Sequence, residues 1–206
     1  MTEAATAWAP GGTPPRRLPP GRHGLPPEQV RESQRRRLTA AATAVLAERG
    51  YGQITVTEVA KRAGVSTSSF YKHFGDLWDC VLAAYEEGAE RLTAGIEAAC
   101  GGTEGRDRAR AGIEAGLTLL APEPALAQLL SGDPPSQAGA LWTARRSLLA
   151  RLASMLHHAR GGQGGGEREL QLIAAATALV SLKASDGGGK RLADLGQPLA
   201  DLLHAP

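Results

Sequence analysis

The 206-residue chain lacks several features that common classes of protein require. Its two cysteines, Cys80 and Cys100, have no zinc-ligand spacing, so the first expectation is free thiols in a reducing compartment, with a redox switch as the alternative. No stretch approaches the roughly 18 consecutive apolar residues of a membrane span, and the N-terminus has no apolar signal-peptide core. These absences predict a cytoplasmic protein without membrane contact.

Catalytic and metal-binding patterns are also missing. No set of Ser, His and Asp or of Cys and His has a spacing that indicates a nucleophilic site. His157 and His158 are adjacent, so on a helix they point about 100° apart and cannot form an i, i+4 metal pair. The sequence therefore predicts no enzyme, no metal site and no cofactor.

Aromatic residues are scarce, at 4% of the chain against 42% for all hydrophobic types. The core must therefore be built largely from Ala, Leu and Val. The length suits one small domain and one larger bundle.

The net charge of the chain is small, but the charged residues are unevenly distributed. Residues 1–77 hold 11 Lys/Arg and 6 Asp/Glu, a balance of +5, whereas residues 78–206 hold 12 and 15, a balance of −3; together they give the net +2. A basic N-terminal part favours contact with an anionic partner at one end. Ordinary surface scatter is the alternative interpretation.

Proline and arginine dominate the N-terminal segment. The first 27 residues hold 7 of the 13 prolines, with Arg16, Arg17, Arg22 and His23 among them. Such a composition cannot bury a core, so residues 1–32 are expected to be a disordered or extended arm. It could lie along phosphates or a minor groove, or be only a solubilising tail.

The most informative stretch is TVTEVAKRAGVSTSSFYKHF, which runs from Thr55 to Phe74. Thr55 can cap a first helix, with Glu58 completing a capping box. Gly64 supplies the residue that can take φ > 0 and end that helix, and Ser66 can cap a second. This pattern is typical of a helix-turn-helix, whose second helix reads base edges in the major groove.

The second helix has one apolar and one polar side. Phe70 and Phe74 are four residues apart and should face the core, which leaves small hydroxyls, a phenol and a lysine facing outward. Such groups suit phosphate oxygens and base edges. A capped helix pair also occurs in many proteins that bind no DNA, so the motif alone leaves that alternative open.

The helix predicted before this motif runs from Ser33 to Gly50 and starts with Arg35, Arg36 and Arg37. Together, the three helices resemble the N-terminal domain of the TetR family of transcriptional regulators over residues 33 to 85. The resemblance rests on AERGY (Ala47–Tyr51), TVTEVAKRAGVS (Thr55–Ser66) and FYKHF (Phe70–Phe74).

The resemblance implies an all-α fold: a three-helix DNA-binding head with a helix-turn-helix over residues 33–78, and a larger C-terminal helical bundle over residues 79–206 for ligand binding and dimerisation, about nine helices in total. Where the family often has a phosphate-gripping lysine, this chain has Leu77. The candidate DNA-binding residues are Arg35, Arg36, Thr55, Thr57, Ser66, Thr67, Ser68, Ser69, Tyr71, Lys72 and His73.

The implied function is that of a sequence-specific DNA-binding transcriptional regulator, a repressor released by a small-molecule effector. Its expected partners are double-stranded DNA with a palindromic operator, the effector and a second copy of the chain. The alternative is a helical interaction or scaffold protein that uses the helix-turn-helix to dock proteins, without ligand response.

Long helices are predicted after Phe74: Asp76 to Ala99, Arg106 to Leu120, Ala125 to Leu130, Gln137 to Arg160, Glu167 to Ser185 and Lys190 to Leu203. The candidate ligand-binding residues among them are Trp78, Tyr85, Trp142, Met155 and His157. Large side chains at helical spacing are more often simply buried, so core packing is the alternative for each. An apolar or aromatic small molecule suits such a lining.

The last two helices are predicted to form the dimer interface. One has an alanine-rich middle, and the other repeats leucine at spacings of 3, 4 and 3. The candidate interface residues are Leu170, Ala174, Ala178, Leu192, Leu195, Leu199 and Leu202. Completion of the core of a single chain is the alternative.

Overall fold

The computed structural model describes residues 26–102, 104–162, 166–185, 192 and 194–204. These residues form nine α-helices and no strand, which confirms the all-α prediction. The helices are α1 Pro27–Arg49, α2 Val56–Ala63, α3 Thr67–Phe70, α4 Leu77–Ala99, α5 Gly105–Leu120, α6 Pro124–Ser131, α7 Gly139–Ala159, α8 Glu167–Ser185 and α9 Gly196–His204.

The first helix is longer than predicted. It begins at Pro27 rather than Ser33, because proline fits the first helical position, where its missing N–H is not needed. Residues 27–32, which were assigned to the predicted arm, are therefore helical. Residues 1–25, the rest of that arm, lie outside the described residues.

The predicted capping groups organise the helix-turn-helix. The Thr55 hydroxyl accepts a hydrogen bond from the Glu58 N–H at 3.3 Å, and the Ser66 hydroxyl accepts one from the Ser69 N–H at 3.0 Å. Gly64 ends α2 in the left-handed region at φ 65°. The second helix is shorter than predicted: α3 ends at Phe70, and turns continue the chain to Phe74.

The C-terminal helices follow their sequence signals closely. Asp76 and Asp79 form a capping box at the start of α4, and α8 has the predicted bounds. The last helix, α9, begins at Gly196. Its predicted start at Lys190 lies outside the described residues.

One hydrophobic cluster joins the head to the bundle. It runs from Leu38 and Val59 in the head, through Val81 of α4, to Leu141 and Leu199 in the bundle. The head is therefore packed on α4 and α6 rather than tethered by a linker. None of the helices in the described part of the chain is long and apolar enough to cross a membrane.

Candidate nucleic-acid interface and ligand cavity

A buried aromatic pair supports the helix-turn-helix from beneath. Phe70 and Phe74 are 0% and 5% exposed, and their ring centroids lie 5.7 Å apart. Both point to the core, as the i, i+4 spacing predicted. The Arg35 guanidinium covers the outer face of the Phe74 ring at 4.6 Å.

Arginine also fixes the turn between α2 and α3. The Arg37 side chain donates hydrogen bonds to the Ala63 and Gly64 carbonyls. These carbonyls stand at the end of α2, where no intrahelical donor remains for them. Arg37 therefore holds the angle between the two helices.

The outward side of α3 and its following turn forms a polar surface. Thr67, Ser68, Tyr71 and Lys72 are all exposed, and Tyr71 keeps 59% of its surface in solvent. We call these four residues the reading face. Hydroxyl, phenol and ammonium groups can all contact base edges or phosphates.

The other candidates on this surface have different positions. Thr57 is exposed and Ser69 is half-buried, while the Thr55 and Ser66 hydroxyls are helix caps. The exposed Arg36 pairs with Glu32 at 2.8 Å. A role for these candidates in DNA binding stays a prediction.

A group of cations surrounds His73 at the end of the reading face. The His73 Nε2 lies 3.0 Å from the Gln34 Oε1. Burial, followed by the positive charges of Arg31, Arg35 and Lys72, lowers the pKa of His73. We call these three cations the basic cluster. Its positive potential favours an anion such as a DNA phosphate.

Arg31 was missed as a candidate in the sequence. It precedes Arg35 by four residues and so lies on the same helical face, but the predicted helix began two residues after it. The signal that could have found it was the Pro-Pro pair at 26–27, which marks an earlier helix start.

The C-terminal end of α6 receives hydrogen bonds from three directions. The Tyr51 hydroxyl, from the loop after α1, donates to the Leu129 carbonyl at 3.0 Å. The Tyr85 hydroxyl of α4 donates to the Leu130 carbonyl at 3.4 Å, and Arg145 of α7 donates to the Gly132 carbonyl at 3.1 Å. Head and bundle thus share one anchoring point.

An elongated apolar cavity of about 160 Å³ lies inside the bundle. We call it the slot. Residues of α4, α5, α6, α7, α8 and α9 line it, among them Ile96, Gly112, Gly116, Leu130, Leu152 and Val180. Its lining is almost entirely aliphatic, so it suits an apolar guest.

Only Met155 of the predicted ligand-binding residues lines the slot. Trp78 stacks on Tyr51 with 6.5 Å between centroids, and Trp142 lies 5.8 Å from the Arg145 guanidinium. The Tyr85 hydroxyl donates its hydrogen bond to the Leu130 carbonyl of α6. His157 Nδ1 lies 3.5 Å from a Glu169 carboxylate oxygen. These four side chains make contacts within the fold, and a ligand-binding role for them stays a prediction.

The predicted dimer residues fall into two groups. Leu170, Ala174 and Ala178 of α8 are exposed and continue at the same spacing to Leu182, with Leu170 40% and Leu182 64% exposed. We call these four residues the α8 stripe.

Three of the leucines predicted for the last helix are buried within the chain. Leu192, Leu195 and Leu199 are 0–4% exposed in the core of the chain itself, so they have no surface to offer a partner. A heptad-like pattern serves a core as well as a seam, which corrects the prediction for these three. The side chain of Leu202 lies outside the described residues.

Both cysteines are buried thiols. Burial raises the pKa of the Cys80 thiol to about 12, so it remains protonated and unreactive near neutral pH. Cys100 lines the slot and donates from Sγ to the Arg108 carbonyl at 3.4 Å.

Comparison with known proteins identifies the head. The family profile described as bacterial regulatory proteins of the tetR family matches residues 38–84. Residues 38–84 carry the N-terminal domain of the TetR family. The match spans α1, α2, α3 and the start of α4, so the resemblance found in the sequence is confirmed.

A curated relative is similar to part of this chain. The HTH-type transcriptional activator FasR of Mycolicibacterium smegmatis is 36% identical over 86 residues. The matched part is 41% of this chain and 39% of FasR, so the alignment spans well under half of the relative's length.

Solved structures extend the likeness in fold beyond the head. The fatty acid degradation regulator FadR of Bacillus halodurans has a TM-score of 0.70 at 19% identity, covering 82% of this chain and 98% of that one. FadR of Bacillus subtilis, in complex with stearoyl-CoA, has a TM-score of 0.63 at 20% identity, covering 81% and 96%. At these identities, the comparison establishes a shared fold.

Proposed function

We propose that the protein is a sequence-specific DNA-binding transcriptional regulator. The observation that carries the proposal is the reading face: four exposed polar side chains held over a buried aromatic pair, beside the basic cluster. The TetR-family profile over the same residues supports it. In this proposal, the head over residues 33–78 contacts DNA, and residues 79–206 bind ligand and dimerise.

The α8 stripe supports a homodimer. Its two leucines and two alanines repeat every four residues on one exposed helical face. Alanines allow two helix backbones to approach closely, and the leucines supply apolar area that water otherwise covers. A two-fold dimer would place two reading faces on half-sites about 34 Å apart, which predicts a palindromic operator.

The slot supports a response to a small molecule. Its lining includes Leu130 of α6, the residue whose carbonyl accepts the Tyr85 hydrogen bond, and the preceding Leu129 carbonyl accepts that of Tyr51. A guest that displaces α6 therefore acts on the head and on α4 together. The stearoyl-CoA complex of Bacillus subtilis FadR is a further support, since that protein shares the fold.

We propose that ligand binding releases the protein from its operator, which makes it a repressor. FasR, the curated relative, is named an activator, so the direction of control is a separate question. Transcription from the chain's own promoter in vitro, with and without protein, decides it: added protein should lower transcript yield. A rise in yield would make the protein an activator.

A gel shift with the chain's own promoter region tests DNA binding. The affinity should fall steeply with salt, because each phosphate contact releases counterions. The logarithm of the binding constant should fall by about 0.9 per phosphate contact for each unit of the logarithm of salt concentration. Failure of every duplex from this region to bind at low salt would contradict the proposal and favour protein docking by the same motif.

A double variant tests the reading face itself. Tyr71→Ala with Lys72→Ala should weaken operator binding at least about tenfold, since it removes a base-edge contact and a phosphate contact. Lys183→Ala is the matched control, because Lys183 is an exposed lysine on α8, outside the helix-turn-helix. Equal affinities for the double variant and the control would mean that another surface binds DNA.

A further inference from the structure

Two rows of residues, each with a spacing of four positions, line the slot lengthwise. Arg108, Gly112, Gly116 and Leu120 all line it and follow each other every four residues on one face of α5. At 1.5 Å per residue, this row is about 18 Å long. On α4, Leu92, Ile96 and Cys100 form a second row with the same spacing.

The two rows run in opposite directions along the slot. A Cβ at Gly112 would lie 3.2 Å from the Cys100 Sγ, whereas one at Gly116 would lie 3.7 Å from the Leu92 Cδ1. Cys100 and Arg108 therefore mark one end of the slot. Leu120, together with Leu130 of α6, marks the other.

Charge is confined to one end. Arg108 is the one charged residue among those that line the slot within the described part of the chain. Its side chain is exposed, so this end opens to solvent. Between the described residues the Arg108 guanidinium forms no ion pair, while Arg110, two positions along, is paired with Glu114 at 2.8 Å.

We infer that the slot binds an anionic amphiphile whose linear alkyl chain lies along α5 and whose carboxylate or phosphate head contacts Arg108. This inference rests on the proposed ligand response and names the class of ligand. A guanidinium suits both heads because it donates two parallel hydrogen bonds. An aliphatic lining suits an alkyl chain, which gains from every methylene removed from water.

The orientation follows from the two ends. With its head at Arg108, the chain's tail points toward Leu120 and Leu130. Leu130 belongs to α6, whose adjacent carbonyl holds Tyr51 of the head. A longer tail therefore presses on the helix that anchors the DNA-binding domain.

Calorimetry with three probes tests this assignment in the absence of DNA. Decanoate and decanol share a chain and differ in head charge, while decanoyl-CoA carries the same chain on a phosphate-bearing head. On the unaltered protein, decanoate should bind at least about fivefold more tightly than decanol, as expected for a partly solvated charge pair. Comparison of decanoate with decanoyl-CoA distinguishes a free fatty acid from an acyl thioester as the source of the chain.

Two variants divide head from tail. Arg108→Gln should remove the preference for decanoate over decanol and leave decanol binding unchanged, whereas Arg110→Gln, the same change on the same helix, should alter neither. Gly116→Val should weaken all three probes at least about tenfold, because its side chain occupies the slot. Gly95→Ala controls for a glycine change outside it: the added Cβ meets only Leu119 Cδ1, at 3.3 Å.

The outcomes separate this inference from the proposed function. If no probe binds the unaltered protein, or if neither decanoate nor decanoyl-CoA binds more tightly than decanol, the inference is overturned even where the promoter gel shift succeeds. If decanoate or decanoyl-CoA binds with the expected dependence on Arg108 but no promoter duplex binds, the ligand assignment stands and the DNA proposal fails. Circular dichroism of each variant verifies that lost binding is not lost folding.

Discussion

The head and the bundle of this protein differ in how completely they are filled. In the head, Leu38, Val59 and Phe70 are each 0% exposed, and the slot does not extend among them. In the bundle, residues of α4, α5 and α7 line a cavity of about 160 Å³. Close-packed interiors have one arrangement, whereas a void allows neighbouring helices to move. The head is thus suited to hold one shape, and the bundle to change between two.

The largest expected effect tests the filled head. Phe70→Ala should lower the free energy of unfolding by about 3–5 kcal/mol, because a fully buried ring leaves a cavity that close packing cannot collapse. Guanidinium denaturation followed by circular dichroism measures it. Tyr71→Ala is the control: its ring is 59% exposed, so the expected change is within about 0.5 kcal/mol. Similar losses for the two variants would mean that the head tolerates voids.

The second effect contrasts two glycines of the bundle. A Cβ at Gly88 would lie 2.5 Å from the Leu126 Cδ1, whereas one at Gly116 meets Ile96 Cδ1 at 3.5 Å, an ordinary contact. Gly88→Ala should therefore destabilise by about 1–3 kcal/mol through overpacking. Gly116→Ala should stabilise by about 0.4–1 kcal/mol, since alanine restricts the unfolded chain and suits a helix.

Thermal unfolding of both variants measures the contrast. Destabilisation by Gly116→Ala would show that the slot is closed in solution. Stabilisation by Gly88→Ala would show that α4 and α6 are less tightly packed than the structure indicates.

The two regions also differ in what their sequences reveal. The caps of the helix-turn-helix were predicted residue by residue, because Thr55, Gly64 and Ser66 act on neighbours three or four positions away. In the bundle, local signals placed the helices, but not the slot. Gly112 and Gly116 gave no sign of facing Ile96 across the molecule, since that contact depends on tertiary packing.

The other differences between the predictions and the structure also separate local signals from tertiary packing. Trp78 and Tyr85 were chosen for their size, yet size favours burial of any kind. The leucine spacing of the last helix satisfied two structures equally, and only the fold decided between them. The helix start at Pro27 depended on a proline position that the apolar pattern alone does not weigh.

The third effect tests the link between the regions. Tyr51→Phe removes the hydroxyl that donates to the Leu129 carbonyl at 3.0 Å, and should cost about 1 kcal/mol of unfolding free energy. It should also reduce the change in operator affinity that ligand produces, because head and α6 lose a shared bond. Gel shifts at several decanoate or decanoyl-CoA concentrations measure this coupling. An unchanged coupling would assign transmission to α4 alone.

Tyr85→Phe provides the matched comparison for that link. Its hydroxyl donates to the next carbonyl of α6, but at 3.4 Å, so its removal should have a smaller effect on stability. A larger loss from Tyr85→Phe than from Tyr51→Phe would make α4, rather than the head, the principal anchor of α6.

The smallest effect concerns His73. Its pKa is lowered by burial and by Arg31, Arg35 and Lys72, so the folded protein resists its protonation. Below the ordinary histidine pKa of about 6.5, the unfolded chain binds a proton that the folded protein does not. The free energy of unfolding should therefore be highest above that pH and should decrease as the pH falls toward the pKa of His73 in the folded protein. Unfolding free energies between about pH 8 and pH 5 should therefore fall less steeply in His73→Gln than in the unaltered protein.

DNA binding should raise the pKa of His73 instead of lowering it. A phosphate at the basic cluster offsets the charges of Arg31, Arg35 and Lys72 and favours protonated His73, so operator affinity should rise as pH falls across the same range. His73→Gln should abolish that rise, since glutamine can still bond Gln34 but binds no proton. An affinity independent of pH in the unaltered protein would place the bound phosphates away from His73, and would confine DNA contact to the reading face.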